Sequence, residues 1–327
     1  MKGRGMKLSH YLIGLLLLLV FLSISIGTSD FSWGKLFDFD QQTWLLFQES
    51  RLPRTISILL TASSMSMAGL LMQTITQNQF AAPSTVGTTE AAKLGMVLSL
   101  FVFPSASLTQ KMLFAFVSSI LFTLFFLALQ GYLKTLMKQD LVFILLICLA
   151  LRSLFRNIST FLQVLMDPNE YDKLQNSLFA SFQHLNTSIL AIGSLIILAL
   201  TIFFFRKAVV LDVLHLQRET AQILGLDVEK EQKEFLWGIV LLTSTATALV
   251  GPMAFFGFML ANLTYLIVKD YQHKLLFIVA ILVGFISLTL GQALIERVFA
   301  LEIRISMIIE SVGGFLFFIL LYRRARQ

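Results

Sequence analysis

The sequence is poor in the residues on which many enzymes and soluble domains depend. It contains 1 cysteine, 5 prolines and 13% charged residues, against roughly 25% charged residues in an ordinary soluble domain. The lone Cys148 has no partner for a disulfide and no neighbouring metal ligands. The low charge excludes a soluble domain of this length, and the apolar composition excludes a disordered chain.

Catalytic motifs are also missing. The sequence has no G-x-x-x-x-G-K-[ST] phosphate loop and no H-E-x-x-H zinc motif. The histidines are scattered and lie near the ends of apolar segments: His10, His184, His215 and His273. We therefore expect no catalytic residues, no metal site and no cofactor, and any ATP hydrolysis must take place in another chain.

What the chain does have is long apolar runs. Hydrophobic residues make up 57% of its 327 residues, and a membrane-spanning helix needs about 20 mostly apolar residues. The apolar segments lie near 8–26, 55–74, 89–103, 113–133, 141–165, 188–205, 235–250, 254–268, 275–295 and 305–322. This pattern predicts an all-α polytopic membrane protein with about ten transmembrane helices, forming a single domain over 1–327. The second and third segments are rich in small residues, which favours interior helices.

Basic residues set the orientation. Both ends of the chain are basic, with Lys2, Arg4 and Lys7 before the first span and Arg323, Arg324 and Arg326 after the last. The positive-inside rule then places the N and C termini in the cytoplasm. It leaves outer loops at about 28–54 and 166–187 and a cytoplasmic segment at about 209–234. The net charge of +6 is thus an orientation signal, and no nucleic-acid partner is expected.

The cytoplasmic segment contains a short amphipathic stretch. Leu216, Ile223 and Leu224 fall on one helical face, with Glu219 on another and Gly225 as a C-terminal stop. Such a helix either docks into a groove on a partner protein or lies on the membrane surface.

Ionisable residues within the predicted spans need partners, a cavity or a place near a helix end, because charge in hydrocarbon is costly. Glu90 and Lys93 are three residues apart and can pair along one helix. Arg152 and Arg156 share a face and cannot neutralise each other. They lie either where the fifth span bends toward the outside or along a pathway for an anion. Glu310 is a fifth candidate.

Several motifs, in order, resemble the iron-siderophore and cobalamin permease family of ABC importers. The resemblance runs from about residue 50 to the end of the chain. Its parts are the Arg51-Leu52-Pro53-Arg54 motif, Gly69, Gln73, the loop 78–87, the segment 219–226, the Gly-Pro motif at 251–258 and the final span 308–322. The chain departs from the family at Gln79, and at Ala261-Asn262 where the family has Pro-His.

The resemblance implies a permease with a type II ABC importer fold in the cytoplasmic (inner) membrane of a bacterium, surrounded by lipid. Its implied partners are a second permease subunit, identical or related, two ATP-binding subunits and an extracytoplasmic substrate-binding protein. The implied cargo is an iron-siderophore complex, with cobalamin or haem as alternatives. An ATPase-independent secondary transporter is the rival from another class. It would need acidic residues at the midplane, for which Glu90 and Glu310 are the candidates.

The resemblance also implies roles for individual residues. It implies that the residues in contact with the ATPase are Arg218, Glu219, Thr220, Ala221, Leu224, Gly225 and Asp227. Docking of the binding protein falls on Arg51, Arg54 and Arg297, with headgroup snorkelling as the alternative for the first two. We expect the translocation pathway at Met65, Met72, Gln73, Arg152 and Arg156. Gln73 belongs to the family motif, the two arginines suit an anionic cargo, and the methionines offer adaptable apolar walls, with ordinary packing as their alternative.

Overall fold

A computed structural model describes residues 2–27, 33–38, 40–103, 105–136, 141–183, 185–216, 218–299 and 303–325. Over these ranges every regular element is helical, as the composition predicts. The α-helices are α1 (Lys2–Ser25), α2 (Trp33–Phe37), α3 (Gln41–Leu46), α4 (Leu52–Thr76), α5 (Thr88–Val102), α6 (Leu108–Leu136), α7 (Leu141–Val164), α8 (Pro168–Ser177), α9 (Thr187–Arg206), α10 (Ala208–His215), α11 (Arg218–Ile223), α12 (Val228–Val250), α13 (Phe256–Ile267), α14 (His273–Arg297) and α15 (Ile305–Ala325).

Each of the ten predicted apolar segments contains a helix. Among the described residues, six helical runs are long and apolar enough to cross a membrane. They are Gln41–Thr76, Leu108–Phe126, Thr187–Arg206, Val228–Val250, His273–Arg297 and Ile305–Tyr322. The predicted all-α polytopic membrane fold is therefore confirmed.

The predicted outer loop at 28–54 is too long. Helix α3 begins at Gln41, and a π-helical turn, Phe47–Arg51, joins it to α4. Pro53 lies in the first turn of α4, where the missing N–H is tolerated. The Arg51–Arg54 motif is consequently helical and packed against the bundle.

Two helices begin inside the bundle. Helix α5 has 15 residues and α13 has 12, which is about 22 Å and 18 Å at the usual rise and shorter than the ~30 Å hydrocarbon core. The segments that precede them meet, because the Ser84 hydroxyl donates to the carbonyl of Ala254 at 3.0 Å. Non-helical backbone is tolerated at this depth when protein buries it.

Helix α4 lies at the centre and packs against α9, α12, α13 and α14. Small residues allow this close approach: a Cβ on Gly69 would overlap the carbonyl of Gly257, and one on Gly284 would lie 3.2 Å from the Cβ of Ala62. Most of α4 and α5 is buried. The prediction that both small-residue segments are interior helices is confirmed.

The two ends of this bundle are named here after the predicted orientation. The outer end carries Ser25, Arg54 and Glu296, and the inner end carries Thr76, His215 and His273. Helices α4 and α14 connect the two ends in opposite directions.

Candidate coupling and transport sites

The predicted ATPase-contact segment forms a projecting tip at the inner end. Helix α11 is anchored by Ala221, which is fully buried and belongs to the same apolar cluster as Leu211 and Leu214 of α10. Its other side is open, with Ile223 85% exposed and Leu224 60% exposed. Two adjacent apolar side chains at this exposure, held on a buried anchor, form a surface suited to a protein partner.

The end of the tip is fixed by backbone geometry. Gly225 has φ of +85°, a left-handed conformation that favours glycine. The N–H of Leu226 donates to the carbonyl of Ala221 at 3.0 Å, and that of Gly225 to Gln222 at 2.9 Å, which is a Schellman cap. Asp227 then caps α12 by accepting from the N–H of Lys230 at 3.2 Å.

The remaining predicted contact residues surround this tip. Glu219 and Thr220 are exposed on α11. Arg218 begins the helix, and its side chain lies outside the described part of the chain. The structure therefore brings together the residues predicted for ATPase contact, and that contact itself stays a prediction.

An ion-pair cluster supports the base of the tip. Lys207, which follows α9, donates to Glu231 at 2.8 Å and also to Glu234, both on α12. Burial lowers the pKa of Lys207, but the hydrogen bonds and charges of the two carboxylates outweigh it and raise the pKa above its ordinary value. The ammonium thus stays charged and ties α9 to α12.

A polar cluster lies near the tip and is called the inner cluster; it consists of the buried Thr74 and His273 and the partly exposed Asp212. The carboxylate Oδ1 of Asp212 accepts from the backbone N–H of His273 and lies by its ring Nδ1, both at 2.7 Å. The other ring nitrogen, Nε2, lies 2.9 Å from the hydroxyl of Thr74. The side chain of His273 is fully buried. The cluster joins α4, α10 and α14.

A second buried cluster lies at the outer end and is called the outer cluster. Arg54 Nη1 donates to Glu296 Oε1 at 2.6 Å, with side-chain exposures of 8% and 5%. Gln292 donates to the same oxygen at 2.7 Å. Arg54 Nη2 donates to the carbonyls of Ser23, at 3.0 Å, and Ile26, so the cluster joins α1, α4 and α14.

The three arginines predicted to dock a binding protein are therefore in different environments. Arg51 is 1% exposed and donates to the Ile26 carbonyl, and Arg54 is 7% exposed. Arg297 is exposed at the end of α14. The headgroup-snorkelling alternative is wrong for Arg51 and Arg54, because both guanidinium groups bond to protein atoms inside the bundle.

Three of the charged residues within the predicted spans, Glu90, Lys93 and Arg152, lie near an opposite charge. Glu90 lies 3.9 Å from Lys93 along α5, so the predicted i,i+3 pair is confirmed. Arg152 on α7 approaches the same carboxylate oxygen at 4.0 Å, a pairing across helices that the sequence did not indicate. Arg156 is exposed. Glu90 thus faces two cations, which disfavours its use as an ion-coupling carboxylate in a secondary transporter.

The uncharged residues predicted for the pathway are buried within the chain. Met65 is 5% exposed, Met72 is 7% and Gln73 is 4%. Gln73 donates to the carbonyl of Gln79 at 2.8 Å, and Asn262 donates to the same carbonyl at 3.1 Å. Gln79 and Asn262, where the chain departs from the family pattern, therefore lie together and hold the loop after α4. The pathway roles stay predictions.

Sequence reasoning missed both polar clusters. His273 is 199 positions from Thr74 and 61 positions from Asp212, so local spacing carries no trace of these contacts. The sequence held one signal of these clusters. His273 and Glu296 lie at the two ends of the ninth apolar segment, and an ionisable residue at such a position often pairs with a partner.

Comparison with known proteins identifies the family. A family model described as the FecCD transport family matches residues 15–324. The chain belongs to the FecCD transport family. The match covers nearly all of the chain, and it confirms the resemblance drawn from the Arg51–Arg54, coupling and Gly-Pro motifs.

Relatives within the FecCD family match along their whole lengths. The petrobactin import system permease protein YclO of Bacillus subtilis is 32% identical over 94% of this chain and 98% of its own length. The permease protein YclN of the same system is also 32% identical, over 98% of this chain and 99% of its own length. The FecCD chain described here is thus a multi-pass helical membrane protein of a transport family.

A solved structure supports the fold. A metal-chelate type ABC transporter in an inward-facing conformation superposes with a TM-score of 0.81, covering 95% of this chain and 98% of that chain. Its sequence is 23% identical, so the likeness concerns the fold alone. The FecCD chain therefore has the fold of an ABC importer permease.

Proposed function

We propose that this chain is the permease subunit of an ABC importer that carries a ferric siderophore across the cytoplasmic membrane of a bacterium. The observation that carries the proposal is the exposed apolar tip at Ile223 and Leu224, held on a buried anchor in a FecCD-family bundle. A tip of this kind serves a helix-in-groove contact with an ATPase. The petrobactin permeases among the relatives support siderophore cargo.

The proposed assembly has three further kinds of subunit. Residues 1–327 form one permease domain that pairs with a second permease, as the match to two permeases of one Bacillus subtilis import system supports. Two ATP-binding subunits lie at the inner end and contact α11, and a substrate-binding protein docks at the outer end. ATP binding closes the ATPases, and the tip passes this movement to the spanning helices, so that the cargo site opens alternately to each side.

The arrangement of charge supports an anionic cargo. Siderophores with catecholate or carboxylate groups are anionic when they hold ferric iron, and Arg156 presents an exposed cation on the same face of α7 as the paired Arg152. We assign Arg156 to early contact with the cargo. We assign Arg297 to docking, because it is the exposed member of the three predicted arginines.

The test is uptake of radiolabelled ferric siderophores by a strain that lacks the gene, with and without the chain restored. Cobalamin and haem serve as parallel cargoes. We expect restored uptake of a ferric siderophore that depends on an active ATP-binding subunit. Restored uptake of cobalamin or haem alone would assign the cargo to that alternative, and uptake without the ATPase would overturn the ABC proposal.

Two variants test whether the tip couples the permease to the ATPase. Glu219→Arg reverses a charge on the exposed face of α11, and Gly225→Pro removes the residue that closes its end. Both are expected to abolish uptake while the protein still inserts into the membrane. Normal uptake by both variants would contradict an ATPase contact at this segment.

A further inference from the structure

The inner cluster connects the tip to the centre of the bundle. Asp212 is on α10, and two residues lie between the end of α10 at His215 and the start of α11 at Arg218. From Asp212 the hydrogen bonds pass through the fully buried His273 to Thr74, in the last turn of α4. A continuous polar chain thus runs from the base of the tip to the central helix.

Further contacts hold the same end of α4. The Gln77 side chain donates to the carbonyl of Leu214 on α10 at 3.2 Å, and Gln232 on α12 donates to the carbonyl of Ile75 at 3.3 Å. The elements on both sides of the tip, α10 before it and α12 after it, are therefore each bonded to the end of α4. Apolar packing of α10 through Leu211 and Leu214 alone would let the short helix slide, since such contacts are non-directional.

We infer that Asp212, His273 and Thr74 form the link that transmits movement of the ATPase-contact tip to α4 and α14, with His273 as the positioning residue at its centre. The inference rests on the proposed function, because it takes α11 as the contact with the ATPase. His273 suits this position because its two ring nitrogens lie on opposite sides, one toward α10 and one toward α4. Its backbone N–H bonds the same carboxylate, so α14 moves with α10.

The test measures cargo molecules imported per ATP hydrolysed by the complete transporter, with its binding protein, in liposomes. Thr74→Val removes the hydroxyl that meets His273 and keeps the side-chain shape. Asp212→Ala removes the acceptor, whereas Asp212→Asn keeps an oxygen in its place. We expect the first two variants to lower import per ATP by about five-fold or more, the usual range of coupling between sites, and Asp212→Asn to retain most of it.

Matched controls separate transmission from folding. Tyr265 is a neighbour of Thr74, so Tyr265→Phe removes a nearby hydroxyl outside the chain from Asp212 to Thr74, and Asp270→Asn changes an exposed carboxylate of the same inner end. Both controls are expected to keep the wild-type ratio. The double variant Thr74→Val with Asp212→Ala should be little worse than either single change, because both interrupt one chain.

The outcomes are distinct. If the unaltered transporter does not import ferric siderophore, the proposed function fails. If it imports normally and both Thr74→Val and Asp212→Ala keep the ratio of import to hydrolysis, the inference is overturned while the function stands. Equal losses of import and hydrolysis, in proportion to the amount of assembled complex, would also overturn it, because they show only a role in folding. Thr74→Val, which changes least, decides the matter if Asp212→Ala does not assemble.

Discussion

The antiparallel helices α4 and α14 are joined at both ends by buried polar groups, and the two junctions differ in kind. At the outer end a charged pair, Arg54 and Glu296, is 2.6 Å apart. At the inner end the Thr74 hydroxyl meets the ring of His273 at 2.9 Å. The outer junction continues to backbone carbonyls of α1, and the inner one continues to the side chain of Asp212 beside the exposed tip.

The difference implies that the outer end of the bundle is held rigid, whereas the inner end is connected to the exposed tip. Breaking a buried ion pair leaves a charge without compensation, which makes the outer junction costly to open. A hydrogen bond between a hydroxyl and an imidazole contributes less, so the inner junction is less costly to open. The comparison assigns rigidity to the outer end and transmission to the inner end, and the predictions below test it in order of expected effect on stability.

The largest loss in free energy of unfolding is expected from Glu296→Ala. The change leaves the buried Arg54 guanidinium without its carboxylate, and loss of one partner of a buried pair costs about 3–5 kcal/mol. Thermal unfolding of the purified protein in detergent measures the loss, with Arg297→Ala as the exposed neighbour for control. A midpoint for Glu296→Ala equal to that of the control would remove the outer end from its fixed role.

A smaller effect is expected from Thr74→Val. It leaves one buried ring nitrogen of His273 without its hydroxyl, for about 1–3 kcal/mol. The same unfolding assay applies, and Thr76→Val is the matched control because that side chain is exposed and its hydroxyl donates within its own helix, to the carbonyl of Met72. A loss as large as that of Glu296→Ala would mean that the two ends do not differ.

The helical architecture follows from the sequence because its cause is local. Apolar runs, the small residues of α4 and α5 and basic ends each act over a few turns, and each predicted segment is helical in the structure. The predicted outer loop was too long because the helical run Gln41–Thr76 begins well before the apolar segment at 55–74. The short helix α13 lies within the predicted segment 254–268, and Gly257 near its start contacts α4.

The site was predictable only where it is a continuous stretch of chain. The tip from Glu219 to Gly225 is such a stretch, and its exposed apolar face and glycine end agree with the pattern. The clusters around His273 and Glu296 join residues from distant helices, and the pairing of Arg152 with Glu90 is of the same kind. Polar partners in a membrane bundle are set by which helices pack together, which hydropathy does not encode.

Almost no effect on stability is expected from Ile223→Ser. The side chain is 85% exposed, and substitutions at such positions usually change stability by less than about 0.5 kcal/mol. Uptake should nevertheless fall sharply, because the apolar contact with the ATPase is lost. Val209→Ser on α10, an exposed apolar residue outside the tip, serves as control for uptake and for the amount of protein in the membrane. Full uptake by Ile223→Ser would show that the tip has no apolar partner.

Arg297→Ala is expected to have the smallest effect, which is a slower association of the binding protein. This variant also distinguishes the exposed Arg297 from the buried Arg54 at the same outer end. An exposed charge at an interface chiefly affects the rate and orientation of encounter, and it is screened by salt. Association of the binding protein with the reconstituted transporter should slow about two- to five-fold at low salt, the range of a surface ion pair, and the difference from wild type should vanish at high salt. Any effect of Arg54→Gln on this association should not depend on salt, because the carboxylate partner of Arg54 is buried with it and solvent ions do not reach between them. A salt-dependent defect in Arg54→Gln equal to that of Arg297→Ala would mean that the outer cluster opens on docking, and the outer end would then be as mobile as the inner one.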